Sequence, residues 1–189
     1  MTAKDVIKVV CVFLQKEELL ELEDLGGTAV ATESQTKELE HMLRCLNLVV
    51  NEIATDYIPL LFKETVFPTG GQVLLSSLTK NPIDILRVED RFGIRVNYKL
   101  FPDYLETIDG EVKILYSYEP TEATALSQTL ENFSQKIGER VIAYGVAMEY
   151  CFICGLHDDA SIWEKRFKDA LLIASRKKSE IKLPKRRWN

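Results

Sequence analysis

Ile108-Asp109-Gly110-Glu111-Val112-Lys113-Ile114-Leu115-Tyr116-Ser117-Tyr118 is the stretch on which the fold class turns. From Val112 onward the side chains alternate. Val112, Ile114, Tyr116 and Tyr118 fall on one face; Lys113, Leu115 and Ser117 fall on the other. A period of two is that of a strand with one packed face. Asp109-Gly110 ahead of it predicts a type I′ hairpin, a turn that needs positive φ at both central residues. Upstream lie further short runs rich in β-branched and aromatic residues: Thr65–Phe67, Gln72–Leu78, Ile83–Glu89, Ile94–Leu100 and Tyr104–Thr107. The turn signals Thr69-Gly70-Gly71, Lys80-Asn81-Pro82 and Asp90-Arg91-Phe92-Gly93 separate them. Residues 63–118 therefore predict an antiparallel meander, closed by a short linker at Glu119-Pro120-Thr121.

On both sides of this region the period becomes helical. Val6, Val9, Val10, Phe13 and Leu14 share one face of a helix over 4–22, with Thr2 and Asp5 in capping-box positions and Gly26-Gly27 as the break. A second helix spans 33–57, capped by Thr32, with Leu39, Met42, Leu43, Leu46, Val49, Val50 and Ile53 as its apolar stripe and Pro59 as its stop. A third, 134–154, carries Ile137, Val141, Tyr144, Met148 and Phe152 at helical spacing. Its Gly145, between Ala143 and Ala147, permits another helix to approach closely, and Gly155 suits its C-terminal cap. The fourth, 158–176, places Trp163, Phe167, Leu171 and Ala174 on one face. The expected architecture is α+β: a single domain, 1–189, in which a four-helix bundle holds a β-sheet insertion between helices two and three and ends in a C-terminal arm at about 178–189.

Charge is unevenly spread. From Ser175 to the end there are seven basic residues against Glu180, a balance of about +6, which leaves about −11 on the rest of a chain whose net charge is −5. Such a tail suggests a contact with something acidic: nucleic acid, another protein or a neighbouring copy. No apolar run approaches the roughly 20 residues that span a bilayer, so no membrane partner is expected. Cys11, Cys45, Cys151 and Cys154 all sit in apolar helical stretches and read as buried free thiols of a reducing compartment.

No residue constellation suggests catalysis. Cys151, Cys154 and His157 form C-x-x-C-x-x-H, which His41 and Cys45 would have to complete, but the cysteines lie among Phe152 and Ile153 and no second C-x-x-C exists. The expectation is no metal and no cofactor. With only two histidines and no G-x-S-x-G, a nucleophile–base pair has few candidates. The glycine pairs match no phosphate cradle. The carboxylates Glu17, Glu18, Glu21, Glu23 and Asp24 read as a solvated face, and so do Glu52 and Asp56. In the tail, Pro184-Lys185-Arg186-Arg187-Trp188 combines Arg and Trp, residue types that anchor protein interfaces, with one aromatic where nucleic-acid binding would interleave several.

Three stretches resemble the head-to-tail connector adaptors of tailed bacteriophages. They are Glu40 to Ala54 leading into Tyr57-Ile58-Pro59, Ile137 to Cys151, and Trp163 to Leu171 followed by Arg186-Arg187-Trp188. The resemblance implies a structural virion protein of the neck, assembled in the host cytoplasm and not an enzyme. It implies a dodecameric ring of identical copies that joins the portal protein to the next tail or neck protein and lets DNA through as passing cargo. The portal-docking residues would be Lys182, Leu183, Pro184, Lys185, Arg186, Arg187 and Trp188. The alternatives are another neck or tail structural protein, a cytosolic nucleic-acid-binding protein using the basic tail, and a zinc enzyme built on Cys151, Cys154 and His157.

Overall fold

The structure, a computed structural model, describes residues 1–131, 133 and 137–175. Among these it is α+β, with five α-helices and two small antiparallel sheets. The helices are α1 (Ala3–Phe13), α2 (Glu17–Leu20), α3 (Glu33–Glu52), α4 (Glu139–Ile153) and α5 (His157–Ser175). The strands are β1 (Leu61–Val66), β2 (Gln72–Leu74), β3 (Pro82–Asp90), β4 (Lys99–Leu100), β5 (Tyr104–Glu106) and β6 (Val112–Tyr118).

Capping chemistry sets the helix starts. Thr2 and Asp5 form the expected capping box, and Thr32 forms a second one with Gln35. The first helix ends nine residues earlier than its apolar pattern suggests, at Phe13 instead of residue 22. The cause is Gln15, whose φ of 56° makes it the one non-glycine residue in the left-handed region among those described. With Gln15 so placed, its N–H donates to the Val12 carbonyl (3.3 Å) and the Lys16 N–H to the Cys11 carbonyl (2.9 Å), a Schellman-type stop. At the far end of α3 the chain widens to a π turn over Ile53–Tyr57, where the Ile58 N–H reaches back to Ile53 (2.8 Å) before Pro59. The third helix begins at Glu139, after Gly138, rather than at 134; residues 134–136 lie outside the described set. α4 ends in a second Schellman-type stop: Gly155 has φ 74° and the Leu156 N–H donates to Cys151 (2.9 Å).

α4 packs against α1, α3 and α5. A β-carbon on Gly145 would lie 2.6 Å from Val49 Cγ1 and 3.0 Å from Phe167 Cε2, so the absence of a side chain lets all three helices meet there. Ile7, Val10, Met42, Leu46, Val49, Ile142, Val146, Phe167 and Leu171 fill this helical core.

The β-region is antiparallel as expected, but it is no meander. β6, the last strand, lies between β1 and β3, and β5 lies between β2 and β4 in a separate sheet. β5 and β6 are not paired, so Asp109-Gly110 joins two sheets instead of closing a hairpin. Only Gly110 takes positive φ there, and Asp109 Oδ1 accepts the Gly71 N–H at 2.6 Å. The turn with two positive-φ centres is Gly70-Gly71. The alternation of β6 reflects its one fully packed face: Val112, Ile114 and Tyr116 are fully buried in a second core with Val88 and Leu105.

After β6 the chain is not a short linker but a strap that crosses α3 and reaches the start of α1. Asn47 on α3 holds it with both side-chain atoms: Nδ2 donates to the Ala123 carbonyl (3.0 Å) and Oδ1 accepts the Ala123 N–H (2.8 Å). Beyond this clasp the Gln128 and Leu126 carbonyls accept the Ala3 and Lys4 N–H groups (3.0 and 2.8 Å), first-turn donors that have no partner within a helix.

The contact at Gly145 yields a stability test. Alanine favours a helix over glycine by about 1 kcal/mol, but overpacking costs about 1–3 kcal/mol, and here the β-carbon meets a β-branched side chain and an aromatic ring. Gly145→Ala is expected to destabilise the fold by about 1–2 kcal/mol in urea unfolding. Val49→Ala in the same chain should return part of that loss, seen as a coupling in a double-mutant cycle.

Candidate functional site

The most densely connected charged group of the helical half lies where α1, α3 and α4 converge. The turn at Gln15 brings Lys16 over α3, where its ammonium pairs with the Glu38 carboxylate. Tyr150 of α4 donates its hydroxyl to the same carboxylate oxygen at 2.6 Å, and the Lys16 ammonium lies 5.4 Å from the Tyr150 ring centre. Burial alone would raise Glu38, but the Lys16 and Tyr150 bonds outweigh it and hold the carboxyl below its usual range. Tyr150 is pushed upward by its burial and then by Glu38. Lys16 is also raised, the Glu38 partner overcoming its burial. Each group is thus locked in its neutral-pH form. A general base titrating near neutrality needs the opposite tuning, so the triad acts as a clamp on three helices.

A similar knot fastens the β-region. Glu64 accepts the Tyr116 hydroxyl (2.7 Å) together with the Thr79 hydroxyl (2.6 Å) and N–H (3.1 Å), and Glu131 accepts from Lys80 (3.1 Å) and Tyr118 (3.2 Å). Burial and the Glu64 carboxylate push Tyr116 up to about 12.

The cysteines divide. Cys11, Cys45 and Cys151 are buried, and burial pushes Cys11 and Cys45 up to about 11, with Glu38 and Glu149 adding to it. Cys154 corrects the expectation of four buried thiols: it is exposed, because it caps α4 just where Gly155 turns the chain. Cys151 therefore faces the core while Cys154 and His157 face outward, and His41 is exposed on α3 beside a buried Cys45. Among the described residues no group of three or more His, Cys, Asp or Glu side chains is gathered to hold a metal ion. Glu17, Glu18, Glu21, Glu23 and Asp24 are all exposed, as expected of a solvated face. Glu52 departs from that pattern: it is half-buried, and its burial, with Glu149 and Asp56 close by, raises its carboxyl.

Two surface features escaped the sequence reading. Phe13, Tyr144 and Trp163 stack on one another with ring centres 5.1–5.9 Å apart. Arg140 lies over Tyr144 and Arg166 over Trp163, at 5.6 and 5.0 Å. Helical spacing assigned Phe13, Tyr144 and Trp163 each to an apolar face but did not bring the three faces together. The second feature is apolar side chains standing out from the β-region, among them Phe67 (71% exposed), Phe92 (73%) and Ile94 (65%). Two shallow grooves, about 390 and 340 Å³, flank the strap on α3; Arg44, Asn51, Glu119 and Glu122 line the first, Leu39, Leu43 and Leu126 the second. The docking arm expected at Lys182–Trp188 lies outside the described residues. No helix among those described is long and apolar enough to cross a membrane.

No family model matches the chain, and no curated protein matches it either.

Two measurements check this geometry. With native protein at mildly alkaline pH, a thiol reagent should label Cys154 rapidly and Cys11, Cys45 and Cys151 only after denaturation. Glu38→Gln should lose about 1.5–3 kcal/mol at neutral pH, the worth of hydrogen bonds to a charged group. Because the folded-state value of Glu38 is lowered, its contribution is complete above the usual carboxylate range and fades as pH falls through the lowered value. The gap between variant and parent should therefore close in acid, as followed by urea unfolding at a series of pH values.

Proposed function

We propose that the chain is a structural virion protein of the phage neck: an adaptor subunit, one of twelve in a ring that joins the portal protein to the next tail component. In this reading α1, α3, α4 and α5 form a four-helix bundle, the β-region is an insertion on it, and residues 1–189 act as one domain. The observation that carries the reading is the uneven placement of apolar surface. Half of the exposed large apolar side chains among the described residues lie between Leu61 and Ile108, in about a quarter of the chain. Exposed apolar side chains in such number suit a surface that a partner covers, and the adaptor reading supplies the covers, namely neighbouring copies and the next component of the neck.

Charge supports the same reading. The body ahead of Ser175 carries about −11 and the tail about +6. An acidic wall does not hold passing DNA by opposite charge, while Arg186, Arg187 and Trp188 suit an interface anchor. No group in the chain is assigned to catalysis, and no cofactor is required.

Co-sedimentation with the portal ring encoded in the same genome tests the proposal. The full chain is expected to bind at one copy per portal subunit, and a chain lacking residues 182–189 is expected to lose binding. A full-length protein that ignores the portal and instead binds DNA through its tail, with an affinity that collapses as salt rises, would replace this reading with the nucleic-acid one.

A further inference from the structure

The edges of the two sheets are not alike. On β3 the register with β6 slips twice, at Ile83 and Leu86, and Pro82 begins the strand. Its outer side is also covered: Arg95 bridges Glu89, the Val96 N–H donates to Val88 (2.9 Å), and the Tyr98 hydroxyl donates to Ile85 (2.7 Å). In the smaller sheet β2 and β4 are three and two residues long. The Leu74 carbonyl of β2 is already taken by the Ser77 hydroxyl (2.7 Å). Bulges, prolines, short strands and covered flanks are the usual protections of a sheet edge.

β1 has none of these, and the one charged side chain on its outward row, Lys63, which would otherwise guard an edge, is neutralised by Glu89. It pairs with β6 in unbroken register from Leu61 to Val66, without Pro or Gly. The Tyr118 N–H donates to the Leu60 carbonyl (3.0 Å), which makes Leu60 a hydrogen-bonded position. By alternation Phe62, Glu64 and Val66 also face β6, and Leu61, Lys63 and Thr65 turn their N–H and C=O groups outward. Among the described residues nothing hydrogen-bonds to those outward groups. The side chains of Leu61, Lys63 and Thr65 are exposed as well.

We propose that β1 is a docking edge for a second copy of this chain, whose own β1 adds to it antiparallel about a two-fold axis at Lys63. The exposed pattern is self-complementary about that point. Leu61 falls opposite Thr65 of the second copy. Phe67, 71% exposed one residue beyond the strand, falls opposite the exposed Pro59 and diagonal to Leu61 of the second copy. The apolar ends of each strand thus cover one another. At the axis the two Lys63 ammonium groups are each neutralised by Glu89 of their own chain, at 2.6 Å. No other edge among the described residues offers an outward row of comparable length, so the strand that matches β1 best within the chain is β1 itself. The contact is isologous and closes at two copies. It describes the free protein and does not rest on the adaptor reading.

Sedimentation velocity on the full chain across the micromolar range reads the association. Lys63→Pro removes an outward N–H that the fold does not use, and proline is tolerated on an edge strand. That variant is expected to keep the parent's circular dichroism, to melt slightly lower because the Lys63–Glu89 pair is lost, and to weaken dimerisation by at least roughly tenfold. A parent that stays monomeric throughout, or a folded Lys63→Pro chain that dimerises as tightly as the parent, overturns the proposal. If Lys63→Pro fails to fold, hydrogen exchange on the parent decides. The Lys63 and Thr65 amides should become more protected as concentration rises, and exchange independent of concentration overturns the proposal. Portal binding enters none of these readouts, so the two proposals fail separately.

Discussion

At Gly145 the backbone of α4 passes so close to Val49 of α3 and Phe167 of α5 that no side chain fits between them. The rest of the helical half depends on this approach. With α4 seated there, Tyr144 reaches Phe13 of α1 and Trp163 of α5, and, one and a half turns on, Tyr150 reaches Glu38 of α3. A bulkier residue at 145 would push two helices outward together, and the loss would fall on dispersion contacts that vanish over fractions of an ångström. Lys16 and Glu38 then fix the exit of α1 without adding a free charge to the interior, because each neutralises the other and Tyr150 donates a further bond to the same carboxylate oxygen.

The strap makes one structure of two cores. The helices bury one cluster and the strands another, and the chain between β6 and α4 is bonded to both. Asn81 holds Glu119 where the strap leaves β6, Asn47 holds Ala123, the first amides of α1 hold Leu126 and Gln128, and Tyr118 and Lys80 hold Glu131 at its far end. Asn47 works because an amide side chain presents a donor and an acceptor side by side, matching a backbone amide edge-on. Aspartate would offer no donor to the Ala123 carbonyl.

Local features were legible in the sequence, and long-range ones were not. Both capping residues, the apolar face of α3, Gly145 and the buried face of β6 follow from short-range periodicity and residue chemistry, but α4 buries Ile142, Val146 and Tyr150, while Val141 and Tyr144 of the expected stripe are half-buried and Phe152 is exposed. Gln15 carries no such signal, since nothing in its type marks a left-handed residue, and the acidic run after it continues a helical composition. Strand order was hidden for a different reason. Alternation shows that β6 has a packed face but not that both its edges are paired, and the partners in the Asn47 clasp lie 76 residues apart. Asp109-Gly110 has the composition of a hairpin, yet tertiary pairing sends the strands on either side of it to different sheets. The exposed Cys154 follows from geometry: its spacing from Cys151 is helical, but the helix stops at it. The docking arm, the residues singled out most sharply, lies outside the described residues.

The contrast between β1 and β3 bears on which sheet edge is open to another strand. Both flank β6, and both display apolar side chains, yet only β3 is bulged and covered. Two bulges in nine residues twist a strand away from flat pairing. An edge without these devices is a standing template for another strand, and unprotected edges invite aggregation unless a defined partner takes them. Leu61 and Phe67 at the two ends of β1 would add apolar contact to any strand laid there, but Lys63 between them, already paired to Glu89, limits which strands fit. A partner strand with an acidic centre would have to compete with Glu89 for Lys63. A strand of the same sequence brings its own carboxylate with its own lysine, and so leaves both ion pairs intact.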